Sequence, residues 1–258
     1  MAGRRSPEGS RRGHRLNFRV ERRCRAAVAR LMGGGMWQLY QFALCPFTRK
    51  VRALLNEKDV GYELVSEEPW ARRDEFVDMN PAGQTPVMAD PTRNILLLDS
   101  VAICEYFEET VDKVQMINGT AANRAEIRRL VTWFDGHFYR DVTGPLLQER
   151  MIKRIVHRAS PDASRLREAM KSAIGHLDYI DFLLDHRKWM AGATISLADL
   201  AAAAQISVAD YLGGIDWSGH THAKAWYSAF KSRRSFRPLL AERMRGIEPP
   251  SYYENPDF

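Results

Sequence analysis

Cys45-Pro46-Phe47-Thr48-Arg49-Lys50-Val51-Arg52 follows a strand-like run over 37–42 and opens an amphipathic helix. The apolar positions Phe47, Val51, Leu54 and Leu55 fall on one helical face. Pro46 suits the first helical position, where its missing N–H costs nothing. Cys45 is then expected at the positive end of a helix, a place that stabilises a thiolate or a bound anion. Arg49 and Lys50 are expected to add to that effect. A strand, a tight turn, a cysteine and a helix together make a setting for sulfur chemistry.

Outward from this stretch, 62–65 reads as a second strand and 70–79 as a short helical or irregular segment. Asn80-Pro81-Ala82-Gly83-Gln84-Thr85-Pro86-Val87-Met88 reads as loop then strand. A partner strand over 95–98 completes a hairpin through Asp90-Pro91-Thr92-Arg93-Asn94. Asp99-Ser100 precede a helix over 100–110. The β-α-β-(α)-β-β-α order predicts one layer of sheet and helices. Beyond about Ile117 strand signals stop. Helical periodicity predicts helices over 121–142, 162–185, 196–212, 220–232 and 236–243. Gly144-Pro145 is expected to break or kink the first of these. In the second, Leu166, Met170, Ala173, Leu177, Ile180 and Leu184 are expected to face inward. Ser196 and Asp199 form a capping-box pattern, with Ile195 and Leu200 at the positions of a hydrophobic staple.

Three of these motifs, in this order and spacing, resemble the glutathione S-transferase superfamily. They are Cys-Pro-Phe at 45–47, Thr-Pro-Val at 85–87 with Leu-Asp-Ser-x-Ala-Ile-x-Glu-Tyr at 98–106, and the capping box at 196–199. The resemblance covers Met36 to about Leu240. It implies a thioredoxin-like α/β N-terminal domain and an all-α C-terminal domain. The expected divisions are a basic extension over 1–35, the thioredoxin-like domain over 36–117, the helical domain over 118–247 and an extended tail over 248–258. It also implies a glutathione site. Cys45 would be the catalytic residue if the protein is an enzyme. Pro86 would be a cis proline that turns the Thr85 main chain toward the cysteinyl part of the tripeptide. Asp99 and Ser100 would hold its γ-glutamyl end, and Arg72 its glycyl carboxylate. With Thr at position 48 there is no dithiol couple, so Cys45 would need glutathione as its second thiol.

Composition sets further bounds. Of the formal charge of +6, residues 1–35 carry +8, with ten Arg against Glu8 and Glu21, which leaves −2 from Met36 onward. The body is therefore not a nucleic-acid binder by charge. The first 35 residues read as a disordered arm, as a targeting segment, or as sequence outside a true start at Met36. Three cysteines, Cys24, Cys45 and Cys104, give no disulfide framework. No apolar run is long enough to span a bilayer, and the chain reads as cytoplasmic. His220-x-His222 lacks further ligands at metal spacing, so no metal is expected.

Two classes of function stay open. One is a glutathione-dependent transferase or thiol oxidoreductase using Cys45. The other is a binding protein that keeps the scaffold and uses its surface and tail. The segments 37–42 and 133–138 and the aromatic-proline ending resemble superfamily members of bacterial cell division. That resemblance implies a homodimer that binds the tubulin-like polymer FtsZ at the division site, with little transferase activity. The aromatic tail is expected to pack over its own helical domain, to act as a recognition segment for the partner through Tyr252, Tyr253, Asp257 and Phe258, or to do both.

Overall fold

The structure, a computed structural model, describes residues 36–258. The expectations for residues 1–35 lie outside the described residues. The described chain forms two compact units, one of residues up to 41 with Tyr62–Asp99, the other of Phe42–Gly61 with Ser100–Phe258.

The first unit holds a sheet of β1 (Trp37–Gln41), β2 (Tyr62–Ser66), β3 (Val87–Asp90) and β4 (Ile95–Leu98), in the order β2-β1-β3-β4. β1 runs parallel to β2, with Leu39 opposite Leu64, and antiparallel to β3, with Leu39 opposite Met88. β3 and β4 form the expected hairpin. Its turn is fixed by the Asp90 carboxylate, which accepts from Thr92 N at 3.0 Å and Arg93 N at 3.1 Å. A 3₁₀ turn, Pro69–Ala71, and helix α2 (Asp74–Met79) lie between β2 and β3. Phe76 and Met79 pack against Tyr40, Val87 and Ala89 to make this unit's core.

The second unit is helical. It contains α1 (Pro46–Glu57), α3 (Ser100–Thr110), α4 (121–155), α5 (Ala163–Asp185), α6 (Leu197–Tyr211), α7 (Thr221–Lys231) and α8 (Arg237–Leu240). Every residue of α6 is buried, because its run of alanines lets α1 and α4 approach closely. The loop after α3 is pinned by Glu108. Its carboxylate accepts from Met116 N and Ile117 N, both at 2.8 Å, and pairs with buried Lys58 at 2.9 Å.

Three expectations are narrowed or corrected. Of the two outcomes expected at Gly144-Pro145, a break is absent, since the helix runs on to Ile155, and a local distortion is present. Wide π-type turns over Trp133–Thr143 and Leu147–Ile152 flank the pair, and Gly144 N donates to Tyr139 O, one residue further back than in an α-helix. This widening makes room for the proline ring and its missing donor. A Cβ at position 144 would stand 2.9 Å from the Tyr139 carbonyl, so the wide turn takes a glycine. On α5, Met170 is 36% exposed, and Leu166 and Leu184 are only half-buried. The inward stripe keeps the expected Ala173, Leu177 and Ile180 and is completed by Ala169, His176 and Leu183, which leaves Met170 on the rim.

The tail is the third case. Residues 251–254 turn rather than extend, and Tyr253 N donates to Pro250 O at 2.9 Å and Asn255 N to Tyr252 O at 3.0 Å. Proline starts turns as readily as it extends a chain, and here the turn lets the rings bury.

Candidate functional site

In the first unit, Asn80 sets the loop that precedes β3. Its side-chain amide donates to Gln84 O at 2.7 Å, its Oδ1 accepts from Ala82 N at 3.2 Å, and its carbonyl accepts from Gly83 N at 2.8 Å. This clamp leads into a cis Thr85–Pro86 bond, with both residues buried. Gly83 adopts φ +64°, a conformation that costs glycine little. A Cβ there would stand 3.3 Å from Arg72 Nη1, so the Arg72 guanidinium lies over the turn that carries Thr85. Arg72 itself takes φ +47° and is exposed. Its neighbour Arg73 pairs with buried Glu67. Asp99, at φ +75°, is exposed at the end of this unit. The unit thus holds a cationic fork, an exposed carboxylate and a main chain turned by a cis proline. Those groups have the chemistry to meet a carboxylate, an ammonium and a peptide bond.

In the second unit, Cys45 is the residue before α1, with extended backbone and Pro46 at the first helical position. Cys45 O accepts from Arg49 N at 3.0 Å, and Cys45 is 3% exposed. Ser100 is buried as the first residue of α3. The two cations expected to favour a thiolate are engaged elsewhere. Arg49 is fully buried and donates to Ala43 O at 2.8 Å, Ser207 Oγ at 2.9 Å and Tyr253 Oη at 2.7 Å. Burial acts against its charge, but Tyr253 and Glu242 hold its pKa above the ordinary arginine range. Lys50 is buried in an ion pair with Asp135 of α4. Beside Cys45, the π-type turn of α4 contributes Tyr139, whose ring lies 4.8 Å from that of Phe47. Burial, and then the proximity of Cys45, push the Tyr139 hydroxyl up. Cys104 is fully buried, and burial raises its pKa to about 12, which makes it an inert thiol.

The tail residues gather around Lys231 of α7. Its ammonium lies 3.6 Å from the centre of the Phe258 ring and 5.8 Å from that of Tyr252. It stands 3.7 Å from Asp210 and donates to Asn255 O at 3.3 Å. Tyr252 and Phe258 stack at 5.8 Å, and Phe258 meets Trp217 edge-on at 5.1 Å. Tyr253 points inward, fully buried, with its ring edge-on to Tyr211 at 5.1 Å. Tyr252 and Phe258 are half-buried, while Glu254, Asn255 and Asp257 are exposed. The tail therefore divides into a buried anchor, an aromatic clasp and an acidic outer face. Ser196 and Asp199 stand at the start of α6. The Asp199 carboxylate accepts from Ser196 N, Ser196 Oγ, Met190 N and Trp226 Nε1 at 2.9–3.0 Å.

Sequence reasoning missed Tyr139, the Arg49–Tyr253 bond and the Lys50–Asp135 pair. All three join residues more than eighty positions apart or depend on the wide turns of α4. The only sequence signal was the coincidence of charged residues on an otherwise apolar helix start. Among the described residues, no group of three or more His, Cys, Asp or Glu is arranged to hold a metal, and no helix is long and apolar enough to cross a membrane.

Residues 39–115 match the family model of the glutathione S-transferase N-terminal domain. The chain is 41% identical over 222 residues to FtsZ-localized protein A of Caulobacter vibrioides, covering 85% of this chain and 97% of that protein. Two solved structures superpose with TM-score 0.84, each covering 86% of this chain and all of the other. They are a glutathione S-transferase from Rhodospirillum rubrum, 44% identical, and FzlA from C. crescentus, 40% identical. With a thioredoxin-like sheet, a cis proline ahead of β3, a cysteine at the start of α1 and these likenesses over most of its length, the chain belongs to the glutathione S-transferase superfamily.

Proposed function

We propose that this protein is a glutathione-transferase-fold partner of FtsZ polymer, acting on the cytokinetic ring in the bacterial cytoplasm at the division site. The observation that carries the reading is the 41% identity, over nearly the full length of both chains, to a protein named for its localisation with FtsZ. The disposition of charge supports it. Arg49 is turned to the tail and Lys50 to Asp135. The scaffold's cations thus serve the architecture of the tail and α4 rather than a thiolate. The outer face formed by Tyr252, Glu254, Asp257 and Phe258 is the partner-binding surface in this reading, with Tyr253 as its buried anchor. The superfamily likeness supports a homodimer.

A second reading has a specific observation in its favour. The cis Thr85–Pro86 bond, Arg72 over Gly83, exposed Asp99 and Cys45 at a helix start are all present. The chemistry of the sheet unit's groups fits the tripeptide glutathione, and Cys45, in the helical unit, is a thiol whose thiolate can attack a glutathione-containing disulfide, forming the mixed disulfide and releasing the other sulfur as a thiolate. Calorimetric titration with glutathione, paired with co-sedimentation on FtsZ polymer, separates the two. Sedimentation with the polymer and weak or absent glutathione heat is expected. Tight glutathione binding without sedimentation would return the enzyme to first place.

A further inference from the structure

Basic charge is unevenly spread over the second unit. Between positions 150 and 171 there are seven Lys and Arg against two acids, although the chain from Met36 onward carries a net −2. This stretch covers the end of α4, the connector and the first turns of α5. Arg154, His157, Arg158, Arg167 and Lys171 are exposed. Ile155 and Val156 stand among them, 37% and 36% exposed. A solvated basic face has no need of two adjacent aliphatic side chains in water.

A cavity of about 570 Å³ opens beside this stretch, walled by Pro161, Ile247, Pro249 and Pro250, with Arg150 and Arg154 in its lining. Arg150 is half-buried and donates to the Leu212 carbonyl. Among the described residues no carboxylate comes within ion-pair distance of it, and burial alone holds its pKa below the ordinary arginine range. The preceding Glu149 cannot serve, because it accepts from Lys153 at 2.6 Å and Asp162 N at 2.7 Å and lies 3.5 Å from Arg165. Glu248 is exposed at the rim. A guanidinium in that state has an unmet demand for a planar anion. The cavity's volume and its proline and aliphatic walls suit an apolar side chain.

We propose that this face binds an acidic polypeptide segment, whose carboxylates meet Arg150 and Arg154 and whose apolar side chain enters the recess between Ile247 and Pro249. The concave apolar recess argues against a membrane, which favours a convex face with aromatic anchors. Apart from the lone His157 imidazole, the exposed residues of the stretch include no ring on which bases could stack. The proposal is independent of the FtsZ reading and of Cys45.

The test is fluorescence anisotropy of the full chain with a fluorescein-labelled peptide of aspartate and glutamate carrying interspersed leucines. Saturable binding is expected. Arg154→Glu/Arg158→Glu changes two exposed side chains, so the fold, checked by circular dichroism, is retained while affinity falls at least about tenfold. Replacing the peptide's leucines by serines should weaken binding by a similar factor. Equal affinity for wild type and the double variant would overturn the proposal. So would equal affinity for the leucine-free peptide, or tighter binding to phosphatidylserine vesicles or a DNA duplex than to the peptide.

Discussion

Two regions of this molecule each carry an arginine and an aspartate that its sequence marks out, and they use them in opposite ways. In the sheet unit, Arg72 and Asp99 are exposed, on backbone of positive φ. In the helical unit, Arg49 and Asp199 are fully buried and bonded inside the protein, Arg49 to a main-chain carbonyl and two hydroxyls, Asp199 to four donors. An exposed charge on a strained turn is accessible from solvent. A buried, bonded charge organises its own protein. Proximity to Cys45 in sequence suggests catalysis for Arg49, and its burial assigns it to the tail.

The largest effect that would break this comparison is at Arg49. Arg49→Ala leaves the Tyr253 hydroxyl, Ser207 and the Ala43 carbonyl facing a void. It should cost about 3–5 kcal/mol in denaturant unfolding. A loss below 1 kcal/mol would mean that Arg49 is not the internal tie described here.

The aspartate of the same unit gives a pH signature. Burial raises Asp199 to about 6 from 3.8. A raised folded-state value contributes stability that is fully present below the unfolded value and is lost as pH rises through about 6. The advantage of wild type over Asp199→Asn should therefore narrow between about pH 4 and pH 7, on the order of 2 kcal/mol. Thermal unfolding of both proteins across that range checks it, and a gap that widens with pH contradicts it.

Tyr253→Phe keeps the ring and removes the hydroxyl that Arg49 meets. A loss of about 1–2 kcal/mol is expected, smaller than for Arg49→Ala because the ring still fills its place against Tyr211. At the other extreme, Arg72→Ala should change unfolding stability by less than about 0.5 kcal/mol. If glutathione binds, the same change should weaken it. A stability loss comparable to that of Arg49→Ala would erase the distinction between the two regions.

Local signals were legible where the chemistry is local. Pro46 marks the start of α1, Asp90 the hairpin turn, and Ser196 with Asp199 the start of α6, because each acts within four residues. The thioredoxin-like character of the sheet unit and the cis Thr85–Pro86 bond came through the family's motifs rather than through periodicity. Gly144-Pro145 marked a distortion but not its form, because a wide helical turn absorbs the proline without ending the helix, and no periodicity announces that turn. Met170 misled because Ala169, one position before it, turns inward with the expected Ala173 and fits the interior equally well. The prolines at 249, 250 and 256 suggested extension, whereas the inward pull on Tyr253 depends on Arg49, two hundred residues earlier in the chain. Long-range pairs of this kind leave no spacing to read.

The central claim is that partner binding rests on the tail's outer face and not on the thiol. Co-sedimentation on FtsZ polymer of wild type, Cys45→Ala and Glu254→Gln/Asp257→Asn tests it most directly, since both changed acids are exposed and Tyr253 stays anchored. The account expects Cys45→Ala to sediment as wild type does, and the tail variant to bind at least about tenfold more weakly, roughly 1.4 kcal/mol. Loss of sedimentation in folded Cys45→Ala, with the tail variant unaffected, would contradict it.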